Sequence, residues 1–206
     1  MTIEISSAPV LRMIWPGRAE EIDLTPLEGL WTEEQYLTLT DASRVLIEFT
    51  DGSFEVLPMP TDNHQMVLRF IFLALMGFVE PFGGRVLFAA LRLKIRSDKF
   101  REPDVMLVLD KNDPRRQNRY WLGADLVVEI VSEDNPERDT VEKVADYAEA
   151  GIPEYWIVNP LDQTITVLTL VEGAYVTHGS FRRGEQAVSL LLDGFSVAVD
   201  AVFKAQ

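Results

Sequence analysis

The chain has 206 residues, 47% of them hydrophobic, with 33 acidic and 19 basic side chains and a net charge of -14. It holds no cysteine, which excludes disulfides, zinc-thiolate sites and thiol nucleophiles and agrees with a cytoplasmic protein. An acidic body of this size argues for one domain with a proper core and against bulk electrostatic attraction to nucleic acid.

Residues 1–30 show little periodicity, with Pro16-Gly17 and Pro26 as breakers, and read as an extension ahead of a single domain over 31–206. The start, Met1-Thr2-Ile3-Glu4-Ile5, lacks the basic flank and apolar core of a signal peptide. Thr32 followed by Gln35 has the spacing of a capping box and predicts a short helix. Two β-like runs, 44–49 and 53–58, flank Asp51-Gly52 and predict a hairpin. An apolar helix follows, capped by Thr61 or Asp62 and ended near Pro81-Phe82-Gly83-Gly84. Its greasy stretch, Met66 to Val79, contains Arg69 and falls short of the roughly 20 residues of a membrane span. It reads as a core helix or the contact of a homodimer.

Residues 85–96 predict one strand with Leu91, Leu93 and Ile95 on one face and Arg92, Lys94 and Arg96 on the other. The runs 103–109 and 125–131 are nearly continuous in apolar residues and predict central strands. Asn135-Pro136 opens a helix that ends at Gly151, followed by a strand over 154–158. The tail predicts a hairpin across Val171-Glu172-Gly173-Ala174 and short strands to Val199. The whole is a mixed α/β chain.

Two acids interrupt the apolar strands, where a bare charge costs several kcal/mol. Asp104 shares a pleat face with Met106 and Val108, and Glu129 shares one with Val127 and Val131. If the strands are neighbours, the carboxylates project from one face, and a divalent cation relieves their repulsion. Hard oxygen donors suit magnesium or manganese. On the following helix, Asp139, Lys143 and Tyr147 are spaced i, i+4, i+8 and share a face, so Lys143 is a candidate to stabilise a phosphate under attack. The blander reading makes Asp104 a strand-end turn residue and Lys143 a solvated partner of Asp139. Tyr155 and Trp156 read as core residues.

Positive charge is concentrated in one segment. Residues 92–119 carry nine basic side chains against five acidic ones. Arg92, Lys94, Arg96, Arg101, Arg115 and Arg116 are therefore candidates for contact with nucleic acid, with a solvated strand face as the alternative.

Pro103-Asp104, Glu129 on the next strand and a helical lysine together resemble the PD-(D/E)XK nuclease superfamily. The run Asp125 to Ser132, then Asp139, Lys143, Tyr147 and Ala150 to Pro160, resembles the Uma-two family of restriction-endonuclease-like proteins, with Glu48 to Gly52 and His64-Gln65 matching upstream. The resemblance implies a core of helix, three strands, helix and strand, and divalent-metal-dependent hydrolysis of DNA phosphodiesters by an endonuclease. It implies that Asp104 and Glu129 are magnesium or manganese ligands and that Lys143 is the motif lysine. The superfamily usually places that lysine two residues after the acid. Val131 stands there, so the role moves to the helix. His64, Glu48 and Asp139 fall at the periphery of the implied site. The alternative is a nuclease-fold protein that no longer cuts and serves as a nucleic-acid- or protein-binding module, which the net charge and Val131 favour.

Overall fold

The computed structural model describes the backbone of residues 12–14 and 21–23, and residues 27–43 and 45–204 in full. Most of the expected extension over 1–30 lies outside the described residues. The chain forms two compact units, Met1–Met59 and Pro60–Gln206.

In the first unit, β1 (Arg12–Ile14) pairs antiparallel with β2 (Glu21–Asp23). Helix α1 (Glu33–Asp41) begins at the predicted capping box. The Thr32 hydroxyl accepts from the Gln35 amide at 3.3 Å, and the Gln35 side chain accepts from the Thr32 amide at 2.9 Å. Two orphan N–H groups are thereby satisfied. Strands β3 (Ile47–Thr50) and β4 (Ser53–Val56) form the expected hairpin. Asp51 and Gly52 both take positive φ, 47° and 85°, the twist a two-residue hairpin needs. Position 52 is further restricted, because a Cβ there would lie 2.5 Å from the Gly29 carbonyl oxygen. Tyr36 stacks on Phe49 and donates its hydroxyl proton to the Ile47 carbonyl at 2.8 Å, joining α1 to the hairpin.

The second unit is built on a six-stranded sheet. Helix α2 (Asp62–Val79), capped by Thr61, leads into β5 (Arg85–Phe88). A separate antiparallel hairpin follows, β6 (Leu93–Arg96) with β7 (Lys99–Arg101). The single strand expected over 85–96 is thus two strands, since residues 89–92 leave the sheet. The main sheet continues with β8 (Val105–Val108) and β9 (Leu126–Ile130), then crosses through α3 (Lys143–Glu149) to β10 (Glu154–Asn159). Strands β11 (Thr164–Val171) and β12 (Ala174–Phe181) complete it in the order β12-β11-β10-β9-β8-β5. Within this sheet β9 and β10 pair in parallel and the other described pairs are antiparallel, and a parallel pair needs a crossover such as α3. A small pair, β13 (Gln186–Val188) and β14 (Ser196–Ala198), precedes α4 (Val199–Lys204). The expected strand end at Val199 is therefore the start of a helix, with Val199, Val202 and Phe203 buried at i, i+3, i+4.

The two sheet faces are covered differently. On one face Val67, Leu68, Ile71, Leu75 and Val79 of α2 join Val105, Leu107, Val128 and Trp156, together with Val202 and Phe203 of α4. By length and composition residues 62–82 could cross a membrane, but this stripe packs on the sheet as a core helix does. Each fully buried side chain of this kind contributes about 1.5–3 kcal/mol. The opposite face carries Met106, Val108, Val127 and Val131, packed with Tyr147 of α3 and with Tyr155.

Candidate active site

Pleat alternation and register decide where the acids fall. In the antiparallel pair β8–β9, Val105 faces Val128 and Met106 faces Val127. Carried one residue further, the register sets Asp104 opposite Glu129, on the α3 face. The Ile130 amide donates to Asp104 Oδ2 at 2.7 Å and fixes that carboxylate against β9. His64, in the first turns of α2, brings Nε2 to 3.2 Å from the same oxygen. Among the described residues, Oδ1 of Asp104 carries neither bond.

Lys143 reaches the site from the helix, as its spacing predicts. The helical run starts at Pro136 and contains a π-helical turn, Arg138–Glu142, before α3 begins. Such wide turns re-aim the side chains beyond them. The Lys143 ammonium lies 2.9 Å from Glu129 Oε1 and 3.0 Å from Asp139 Oδ1. The Tyr147 hydroxyl, one turn on, donates to the same Glu129 oxygen. Lys143 and Tyr147 thus converge on Glu129 from one helix face, and Asp139 on the same face holds Lys143. Val131, at the superfamily's usual lysine position, is buried and its amide donates to the Val158 carbonyl.

Further contacts hold this helix in place. The Tyr155 hydroxyl donates to the Asp139 carbonyl at 2.7 Å. Burial, reinforced by the charges of Glu129, Asp139 and Asp104, pushes the Tyr155 phenol well above its ordinary range, so it stays a proton donor. Asp146 is buried between Arg101, which donates to it at 2.7 Å, and Lys99. These pairs tie α3 to β7. Sequence reasoning missed Tyr155 and Asp146 in these roles. The only available signal was Asp146 sitting beside Tyr147 on a helix already assigned a site residue.

Access is uneven. The side chains of Glu129, Lys143 and Asp139 are 3–6% exposed, whereas Asp104 and His64 reach 15% and 14%. The opening is therefore on the Asp104–His64 side. Burial alone would lower the His64 pKa. The hydrogen bond to Asp104, with the charges of Asp104, Glu129 and Asp139, outweighs it, and the net direction is upward. Among the described residues, His64 Nδ1 is buried without a hydrogen-bond partner.

Among the described residues, no three His, Asp or Glu side chains group closely enough to cage a metal ion. The donor set nevertheless fits magnesium or manganese, which bind through one or two carboxylates and complete their shell with water and phosphate oxygens. Asp104, with Oδ1 unengaged, and Glu129 opposite it are the residues that would hold such an ion.

The remaining predicted residues are spread more widely. Glu48 is buried in β3, opposite Glu55, in the first unit. Arg101 is buried on Asp146, Arg96 binds Glu149 at 2.9 Å, and Arg115 binds Asp113 and Asp125. Lys94 lies over the rings of Phe100 and Tyr120. Arg116 lies over Trp121, and Arg92 contributes its carbonyl to the Trp121 amide. Much of the positive charge of this segment is thus committed within the fold.

Helix α2, strands β5, β8 and β9, helix α3 and strand β10 reproduce the order helix, three strands, helix, strand, with paired acids at one end of the central strands. That arrangement defines a mixed α+β, nuclease-like fold. A crystal structure of "a putative nuclease belonging to DUF820" from Anabaena variabilis shares it with a TM-score of 0.70 at 19% identity, over 85% of this chain and 98% of that one. The chain belongs to the Uma2 family, described as "putative restriction endonuclease", whose pattern matches residues 33–200. No curated protein matches the chain.

Proposed function

We propose that the protein is a divalent-metal-dependent endonuclease that hydrolyses phosphodiester bonds in DNA. The observation that carries this reading is the convergence of Lys143 on Glu129, with Asp104 fixed across from it by the Ile130 amide. It supports an acid–acid–lysine set assembled in space, although Val131 breaks the pattern in sequence. Family membership supports the same class of activity.

When bound, a magnesium or manganese ion supplies Lewis-acid activation of water and neutralises phosphate charge. Asp104 and Glu129 would hold it. Lys143 keeps a positive charge beside Glu129, where it offsets the charge that builds on the phosphoryl oxygens as the bond from phosphorus to water forms and that to the leaving sugar oxygen breaks. Tyr147 fixes the Glu129 carboxylate by its hydrogen bond, and Tyr155 holds the main chain at Asp139. His64 marks the open side, where the phosphate enters.

One observation favours a second reading. Glu129 is already neutralised by a buried ammonium, and a site closed by such a pair suits a binding module that no longer cuts. Cleavage of plasmid and single-stranded DNA in magnesium or manganese separates the two. Wild-type protein is expected to cut, and Asp104→Ala and Glu129→Ala each to lose at least about a hundredfold in rate while remaining folded. Cutting that survives both substitutions excludes the assignment of these residues.

A further inference from the structure

The connection from β8 to β9, residues 109–125, is longer than the roughly 12–15 residues beyond which a loop without its own secondary structure is usually functional. It is also well fastened. Asp110 and Asp113 accept from the Asn112 and Arg115 amides at 2.8 Å, Lys111 donates its amide to the Gly83 carbonyl, and Arg115 clamps Asp113 and Asp125. With Leu87 and Leu91 this loop lines an open cavity of about 440 Å³, a size suited to a small ligand.

The lining divides by chemistry. Leu87, Leu91 and Trp121 are apolar, and the Arg116 guanidinium lies over the Trp121 ring, 5.6 Å from its centre. Arg116 donates through Nη1 to the Lys111 carbonyl, while its buried Nε–H meets no acceptor among the described residues. Asn112, Gln117 and Asn118 bring amide side chains. Among the described residues the Lys111 ammonium pairs with no carboxylate, because Asp113, the acid of the lining, is held by Arg115. The cavity therefore joins a cation–aromatic pair, amide donors and acceptors and an uncommitted positive charge. A nucleotide asks for all three: a surface for the base to stack on, groups for its edge, and a cation for its phosphate.

Its position relates it to the carboxylates. Leu87 faces Met106 across β5–β8, so the cavity floor belongs to the same sheet face as Asp104 and Glu129. Leu87 and Leu91 flank Ala89, whose amide donates to the Asp104 carbonyl at 3.1 Å.

We infer that this cavity is a subsite for one unstacked nucleotide of the nucleic-acid substrate. The base stacks on Arg116 above Trp121, its edge is read by Asn112 and Asn118, and its phosphate lies on Lys111. The inference rests on the nuclease reading for its biological sense, and binding tests it separately from cleavage.

The experiment titrates the full chain, in chelator, into a short fluorescein-labelled single-stranded DNA, and measures cleavage of the same DNA in manganese. Lys111→Ala and Asn118→Ala, both on the loop surface, are each expected to weaken binding about tenfold and to raise KM more than they lower kcat. Lys204→Ala removes the same charge from α4, on the opposite face of the sheet, and is expected to leave binding unchanged. Weakened binding in the two loop variants, with no cutting by any protein, supports the subsite and defeats the nuclease reading. Wild-type affinity in both loop variants, or equal weakening by Lys204→Ala, overturns the subsite whether or not the protein cuts. So does a wild-type protein that binds no single-stranded DNA.

Discussion

Glu129 and Glu154 are both buried, on adjacent parallel strands, and they answer the cost of burial in opposite ways. Glu154 faces the α2 side and is surrounded by neutral donors. It accepts from the Trp156 indole N–H at 2.7 Å, the Ser189 hydroxyl at 2.6 Å and the Leu190 and Leu191 amides, both at 2.8 Å. Its oxygens are spent on holding the β13–β14 segment to the sheet. Glu129 faces the α3 side and is met by a lysine and a phenol that are themselves held by Asp139, Tyr155 and their helix. A carboxylate saturated by local hydrogen bonds is a structural joint. One paired with a lysine and set opposite a second acid has the surroundings of the metal ligand we propose Glu129 to be.

The largest expected effect breaks the joint. Glu154→Ala strands four donors, and urea unfolding should show a loss above about 4 kcal/mol or no folded protein at all. Lys143→Met comes next. It leaves Glu129 and Asp139 buried without their cation and should cost about 3 kcal/mol, with manganese recovering part of it. An equal response of Glu154→Ala and Lys143→Met to manganese would erase the distinction between the two glutamates. Tyr147→Phe keeps the ring in the core and removes one hydrogen bond to Glu129, for about 1–2 kcal/mol and a measurable fall in cleavage rate.

The smallest effect belongs to an acid near the surface. Arg115 beside Asp113 holds that carboxyl below its ordinary value, against a smaller opposing effect of burial. A depressed carboxyl contributes stability above its unfolded pKa and loses it as pH falls through the folded pKa. Asp113→Asn should therefore cost less than about 1 kcal/mol at neutral pH, and the difference from wild type should vanish in strong acid.

Much of this was legible in local sequence. Thr32 with Gln35, Asp51-Gly52 and Glu172-Gly173 encode a cap and two turns by chemistry within a few residues, and the structure has all three. The acids at 104 and 129 stood out because each interrupts an apolar strand, and helical spacing put Lys143 and Tyr147 on one face. What escaped depends on partners far apart in the chain. Arg101 resembled any basic residue of its segment until Asp146, 45 residues on, was seen against it. Glu154 belongs to a motif that names it without saying what its carboxylate binds. The break at residues 89–92 and the six-residue helix α4 lie below the length at which periodicity separates strand from helix.

The central claim is that Asp104 and Glu129 together hold a divalent ion while Glu154 does not take part. Calorimetric titration of manganese into wild type, Asp104→Asn, Glu129→Gln and Glu154→Gln tests it directly, each variant first checked by melting for an intact fold. The expected result is saturable binding in wild type, and in Glu154→Gln where it folds, with binding lost in both Asp104→Asn and Glu129→Gln. Undiminished binding in those two variants would contradict the account.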